Sequence, residues 1–328
     1  VATFIALTYQ ATADQEVFSL MADDLPGGDE GDLPAVGSAP VVTDVMATRL
    51  VFLTQPGGSV SGRPLTAQPV VAAQDANGLV DTGFDEVVVL NHSSAGTLTN
   101  QAQAAFSGLA TFTNLTYSAI GDREAAVLTA DDQVGGPEGD LPSVSSPQIV
   151  SDVLATNLVF VVQPEGSTSG LSLTTQPVVE AQDDEGLVDL DFAETLMLTT
   201  GAPGSVEGQS VQASSGSAAF TNAIYRATTD HQPFSLTVDD QAGGPEGDLA
   251  LVTSAAVISD VVATGLRFMI DPNDVVSGQL MGVQPVVSAQ DGDGLTDLDF
   301  SEAVTLSVNG PGTLTNFIQT AVSGVATF

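Results

Sequence analysis

The chain has 328 residues, 43% of them hydrophobic and only 5% aromatic, with neither tryptophan nor cysteine. Asp and Glu number 41 against 5 basic residues, all of them arginine, for a formal net charge of −36. That balance excludes nucleic acid as a partner, since phosphate needs clustered Lys and Arg, and the missing cysteines exclude a disulfide framework and thiolate metal ligation.

The strongest signal is internal repetition. Gln68, Gln176 and Gln284 each open Gln-Pro-Val-Val and step by 108 residues. Phe52, Phe160 and Phe268 keep the same step, as do Phe84, Phe192 and Phe300, and the series Phe4, Phe112, Phe220, Phe328. No insertion or deletion interrupts the period, although the copies have diverged. Residues 47–154 and 155–262 are therefore expected to be complete repeats, with residues 1–46 the C-terminal part of one and 263–328 the N-terminal part of another. Val1-Ala2-Thr3-Phe4 and Val325-Ala326-Thr327-Phe328 fall at the same phase, mid-strand, which reads as a segment of a longer array rather than as a leader peptide.

Within residues 47–154 the elements follow in order. Leu50 to Thr54 is a strand closed by the turn signal Gln55-Pro56-Gly57-Gly58. Residues 68–75 form a second strand, with Pro69 near its start, and Asn77-Gly78 marks a hairpin turn. Val88 and Leu90 give the next strand an inward face, repeated at Leu196 and Leu198 and at Val304 and Leu306. Further strands are predicted over 104–107, 109–118 and 125–130. A Gly-rich acidic loop runs from Asp131 to Asp140, and a last strand near 148–154 leads into the next repeat. Roughly seven short strands in about 100 residues is the pattern of a β-sandwich, and no segment carries a 3.6-residue period. The fold class is all-β: tandem immunoglobulin-like sandwiches.

The stretches Leu50-Val51-Phe52-Leu53-Thr54-Gln55-Pro56, Gln74-Asp75-Ala76-Asn77-Gly78 and Ala110-Thr111-Phe112-Thr113-Asn114-Leu115-Thr116 resemble the tandem bacterial immunoglobulin-like repeats of large surface proteins and adhesins. The resemblance recurs in every copy and implies a sandwich fold and an extracellular or cell-surface location. It specifies no ligand.

Val153 to Leu158 is the whole joint between two repeats, with no Gly/Ser linker to act as a swivel. Consecutive repeats are expected to be stiffly coupled; a ten-residue strand spans ~33 Å, so each repeat adds roughly 40 Å to a rod.

Catalysis is not expected. His92 and His231 occupy different phases, and no nucleophile with an acid/base partner recurs. Calcium is the candidate cofactor, because hard cations take several carboxylate and carbonyl oxygens on a turn. One candidate set is Asp75, Asn77, Asp81 and Glu86, matched by Asp183, Glu185, Asp189 and Glu194 and by Asp291, Asp293, Asp297 and Glu302. The same residue types also serve a hairpin turn without any ion. Glu86 shares the parity of Val88 and Leu90, so it points inward and needs a partner. The other set is Asp131, Asp132, Glu138 and Asp140, with copies at Asp23, Asp24, Glu30, Asp32 and at Asp239, Asp240, Glu246, Asp248. A solvated acidic loop is the alternative there. Asp44, Asp152 and Asp260 stand at the joints. The sequons at Asn91 and Asn114 do not recur and are read as chance. Tyr9, Tyr117 and Tyr225 recur beside a strand end, as core-edge tyrosines.

These features predict a structural repeat of an extracellular filament, stalk or matrix fibre that associates with itself. The alternative is a rigid spacer of a calcium-dependent surface adhesin whose binding domain lies elsewhere. No apolar run is long enough to insert into a membrane.

Overall fold

The structure, a computed structural model, describes every residue except 133–135, 137, 241–243 and 245. Gln133, Val134, Gly135 and Pro137 of the acidic loop, and their copies Gln241, Ala242, Gly243 and Pro245, thus lie outside the described residues. The chain divides into two compact units, Val1–Val153 and Leu154–Phe328. Among the described residues there is no helix, and so none long and apolar enough to cross a membrane.

In the first unit, β1 (Val17–Phe18), β2 (Met21–Ala22), β3 (Val36–Gly37) and β4 (Val41–Val42) precede eleven strand segments of residues 47–154. These are β5 (Arg49–Thr54), β6 (Ser59–Val60), β7 (Arg63–Pro64), β8 (Val70–Gln74), β9 (Val87–His92) and β10 (Thr97–Thr99), followed by β11 (Ala102–Ala104), β12 (Leu109–Thr111), β13 (Thr116–Ser118), β14 (Glu124–Asp132) and β15 (Val144–Asp152). One sheet has the order β12-β8-β5, a second β11-β9-β14-β15-β6 and a third β10-β13-β7. All the pairings are antiparallel except β15 with β6, where Ser151 faces Ser59 and Asp152 faces Val60 in parallel. Ser59 and Ser151, both buried, join their hydroxyls at 3.0 Å across this pair.

The core follows from strand parity. Leu50 and Phe52 on β5, Val71 and Ala73 on β8, Val88 and Leu90 on β9, and Ala126, Leu128 and Ala130 on β14 all point into one buried cluster. Phe84 and Phe112 fill it from the connections and Tyr117 from β13. With few aromatics available, Val, Leu and Ala carry most of this burial, as the composition requires.

Three predicted boundaries move for identifiable reasons. Residues 109–118 form two strands rather than one, because Asn114 adopts a left-handed φ of 57° between them; Asn tolerates that conformation better than most side chains. The last strand starts at Val144, earlier than the sequence suggests, since a register shift between Val127 and Thr129 accommodates Pro147, which has no N–H to donate. The Asn77-Gly78 turn is present, with Gly78 at φ 87°, but a single bridge between Gln74 and Val80 follows it, and the chain then crosses to the other sheet to begin β9.

The second unit repeats this pairing in register. Leu158 faces Ala181 and Leu266 faces Ala289, as Leu50 faces Ala73, and a bulge follows Phe160 and Phe268 as it follows Phe52. The fold is that of tandem immunoglobulin-like sandwiches with a 108-residue period.

Residues 263–328 hold counterparts only of the first part of the repeat. Phe268 is 52% exposed where Phe160, at the same phase, is 8% exposed. Truncating Phe160 to Ala should cost about 3–5 kcal/mol in urea unfolding, whereas Phe268→Ala at the same phase should cost less than about 1 kcal/mol. Equal losses would show that phase, not burial, sets the contribution.

Candidate functional site

Asp75 belongs to a turn. Its Oδ1 accepts the backbone N–H of Asn77 at 2.9 Å and of Leu79 at 2.8 Å, and the Asn77 amide reaches its Oδ2 at 3.1 Å. Asp183 and Asp291 repeat the arrangement with Glu185 and Leu187 and with Asp293 and Leu295.

Asp81 does something different. It is 2% exposed, and its Oδ2 accepts the N–H of Ala47 at 2.9 Å while Oδ1 accepts that of Gly83 at the same distance. Asp189 holds Ala155 at 3.0 Å and Asp297 holds Ala263 at 2.9 Å in the same way. A carboxylate with two acceptor oxygens thus pins the first residues of each repeat to the loop before β9 and its counterparts.

A second aspartate series, which the sequence reading passed over, secures the joint from the preceding repeat. Asp230 is 8% exposed; its Oδ1 accepts the N–H of His231 at 2.8 Å and of Val261 at 2.7 Å, and its Oδ2 that of Leu298 at 2.8 Å. One side chain therefore ties together the backbone at His231, Val261 and Leu298. Asp14 makes the same three contacts with Gln15, Val45 and Thr82, and Asp122 holds Val153 at 2.8 Å. The residues that follow, Gln15, Arg123 and His231, all take a positive φ, which lets their N–H turn back onto the aspartate. The 108-residue spacing of Asp14, Asp122 and Asp230 was visible in the sequence; their joining of distant backbone was not.

Of the joint aspartates named from sequence, Asp44 is exposed and Asp152 half-buried. Asp260 brings an oxygen within 4.8 Å of ligand atoms of Asp230 and His231. Burial, then the charges of Asp230, Asp299 and Asp297, pushes its carboxyl above the ordinary value. His231 bonds Asp299 at 2.9 Å, which together with the Asp230 charge raises its pKa.

Glu86 leaves the turn altogether. Among the described residues Asp75, Asp81 and Glu86 form no group of converging carboxylates. Inward parity at the start of β9 sends Glu86 toward Asp132, which continues the inward series Ala126, Leu128, Ala130 at the end of neighbouring β14. Burial, followed by the charges of Asp132, Glu138 and Asp85, raises the Glu86 pKa. Glu194 is raised by burial and then by Asp240 and Glu246. The two candidate metal sets of the sequence therefore exchange a member: Glu86 sits with the acidic loop.

A further repeated position, Glu16, Glu124 and Gln232, supports the tyrosines. Tyr117 and Tyr225 are fully buried. Glu124 accepts the N–H groups of Ile120, Ala95 and Gly96 at 2.8, 3.0 and 3.1 Å. Burial pushes its carboxyl up, but these bonds outweigh that and leave its pKa below the ordinary 4.5. Glu16 at the same phase is lowered to about 2, first by its bond from Tyr9 and then by Thr12. Gln232 fills the position in the next copy and accepts the N–H of Thr228 at 2.6 Å.

No family model matches the chain, and no curated protein matches its sequence. Several solved structures are similar in chain path. FdeC, an Escherichia coli adhesin, aligns with a TM-score of 0.38 and 16% identity over 83% of this chain and 83% of its own. Invasin, a bacterial integrin-binding protein, aligns with a TM-score of 0.32 and 17% identity over 82% of this chain and 53% of its own. The EC3-6 fragment of protocadherin gammaB7 gives 0.36 and 16% over 94% and 77%. These likenesses are low in score and identity, and the fold assignment rests on the strand pairing described above.

A depressed folded-state pKa contributes stability above the unfolded pKa and loses it as pH falls through the folded value. Replacing Glu124 with Gln should therefore lower the unfolding midpoint at pH 7, and the gap to wild type should close as the pH drops below 4.5. A gap that persists into strong acid would show that charge at this position is irrelevant.

Proposed function

We propose that this chain is a structural segment of an extracellular filament, stalk or matrix fibre, with residues 47–154 and 155–262 as its complete repeats and 1–46 and 263–328 as partial ones. The observation that carries this reading is the double aspartate clamp. At the joint between 155–262 and 263–328, Asp230 grips Val261 and Leu298 while Asp297 grips Ala263. The backbone N–H groups on both sides of the joint are thus occupied by buried carboxylates, and a swivel at that point would have to break several charge-assisted bonds at once. Such a joint suits a part whose task is to hold distance and direction.

The net charge of −36 supports a medium in which salt or divalent cations screen self-repulsion, as outside a cell. In that setting the acidic faces permit lateral association of copies. The role is architectural, and the partner is a second copy of the chain.

The absence of cysteine makes stiffness directly measurable. Spin labels on cysteines introduced one on each side of the 262/263 joint of the full chain should report a narrow distance distribution. Asp230→Ala should broaden it and lower stability by about 1.5–3 kcal/mol, the value of hydrogen bonds to a charged acceptor. A wild-type distribution as broad as that of the variant would remove the stiff-segment reading.

Sedimentation of the full chain tests association separately. Concentration-dependent assembly is expected once salt or divalent ions screen the charge. A monomer at every concentration and ionic strength would restrict the proposal to a non-associating stalk.

A further inference from the structure

The acidic loop carries an unresolved electrostatic demand that the joint clamps do not share. Asp131, Asp132 and Asp140 present ligand oxygens within 4.8 Å of one another, as do Asp239, Asp240 and Asp248, and Asp23, Asp24 and Asp32. A calcium ion about 2.4 Å from each oxygen holds its ligands no more than ~4.8 Å apart.

Crowding of acids is not by itself a site; the buried oxygens behind them supply the second observation. Asp240 is 7% exposed, and its Oδ1 has no hydrogen-bond partner among the described residues, while Oδ2 takes the N–H of Leu249 at 3.3 Å. Both carboxylate oxygens of Glu86 are likewise buried without a partner, as are Oε1 of Glu194, Oε2 of Glu138 and Oε2 of Glu246. The charges acting on Glu86 and Glu194 are all negative. Carboxylates kept from water with no donor and no counter-charge are strongly unfavourable, and a bound cation removes the penalty.

Gly136 and Gly244 lie directly against these glutamates. A Cβ on Gly136 would lie 1.0 Å from Oε1 of Glu86, and one on Gly244 would lie 1.0 Å from Oε1 of Glu194. A side chain at either position would have to displace the glutamate carboxylate.

We propose that a hard divalent cation, calcium in preference to magnesium, is bound by Asp131, Asp132 and Asp140, with Glu86 completing the shell from the strand side and Glu138 from the loop. Asp239, Asp240, Asp248, Glu194 and Glu246 form the equivalent site in the following repeat. The ion ties the start of β9 to the loop after β14, and so closes one end of each sandwich. Calcium is favoured because five carboxylates on a loop and two strand ends form a large, adaptable cage, whereas magnesium demands a small octahedral shell and retains its waters. This site involves none of the joint aspartates, and the stiff-segment reading stands or falls without it.

The test is calorimetric titration of the chelator-stripped full chain with calcium chloride and with magnesium chloride at constant ionic strength, paired with unfolding midpoints. Saturable calcium uptake, one ion at each of the two sites, and a raised midpoint are expected, with a smaller response to magnesium. The paired variant Glu86→Gln with Glu194→Gln should lose both effects. Asp140→Asn with Asp248→Asn should lose saturable uptake too, and these side chains are exposed, so the fold is not at risk. Uptake that never saturates and is equal in wild type and variants would mean surface screening and would overturn the site. So would a calcium-insensitive wild type in which the glutamine pair simply raises the midpoint, since protons would then be satisfying the pocket.

Discussion

Everything distinctive in this molecule follows from one constraint: it must place many carboxylates in or near its interior with almost no cationic side chains to meet them. Five arginines stand against 41 acids, and the described ion pairs of Arg226 engage Glu207 and Asp293 at the surface. The backbone N–H is the donor that remains. Asp75, Asp81 and Asp230 each take two or three of them. In doing so they turn an electrostatic liability into tethers, because a charge-assisted bond from a buried N–H is stronger than a neutral one and satisfies both partners.

The same accounting separates three kinds of acid. Asp75, Asp81 and Asp230 are satisfied by backbone, and Glu16 and Glu124 by a mixture of backbone and hydroxyl donors. Glu86, Glu194 and Asp240 hold oxygens that are satisfied by neither. A fold that solves this problem so consistently elsewhere leaves an oxygen of Glu86 and Glu194, and of Glu138 and Glu246, bare at the same phase in two diverged copies. That contrast, more than the number of acids in the loop, makes them informative.

Strand parity was the part of the structure most open to reading from sequence. Val88 and Leu90, with their copies 108 residues apart, identify an inward face without any coordinates, and the same parity places Glu86 inside. Extending it along 126, 128 and 130 would also have placed Asp132 there. What one dimension could not supply was that β9 and β14 are neighbours, so that an acid from each of two separate motifs meets at one end of the sheet. The joint clamps were hidden for a related reason. Asp230 lies 31 residues from Val261 and 68 from Leu298, and nothing local at an Asp-His dipeptide announces either contact. The split of residues 109–118 is a smaller case, where the alternation ran on but a left-handed Asn114 broke the strand.

Those long closures also bear on the invariance of the period. Separations of 31, 34 and 68 residues recur at successive joints: Asp14 to Val45 and Thr82, Ala47 to Asp81, Asp230 to Val261 and Leu298, and Ala263 to Asp297. Each aspartate lies on a loop, where insertions are ordinarily tolerated. Here a residue added beside the aspartate would swing its carboxylate off two or three backbone donors and leave them buried and unpaired, at a cost far above that of lengthening a free loop. The end loops are therefore held to length by hydrogen-bond geometry. The tyrosine-supporting loops feel a similar restraint, since Glu124 or Gln232 must reach both the strand behind it and the loop in front. A repeat whose loops at both ends are fastened in this way can drift in sequence while its length stays the same, which is the pattern the copies in this chain display.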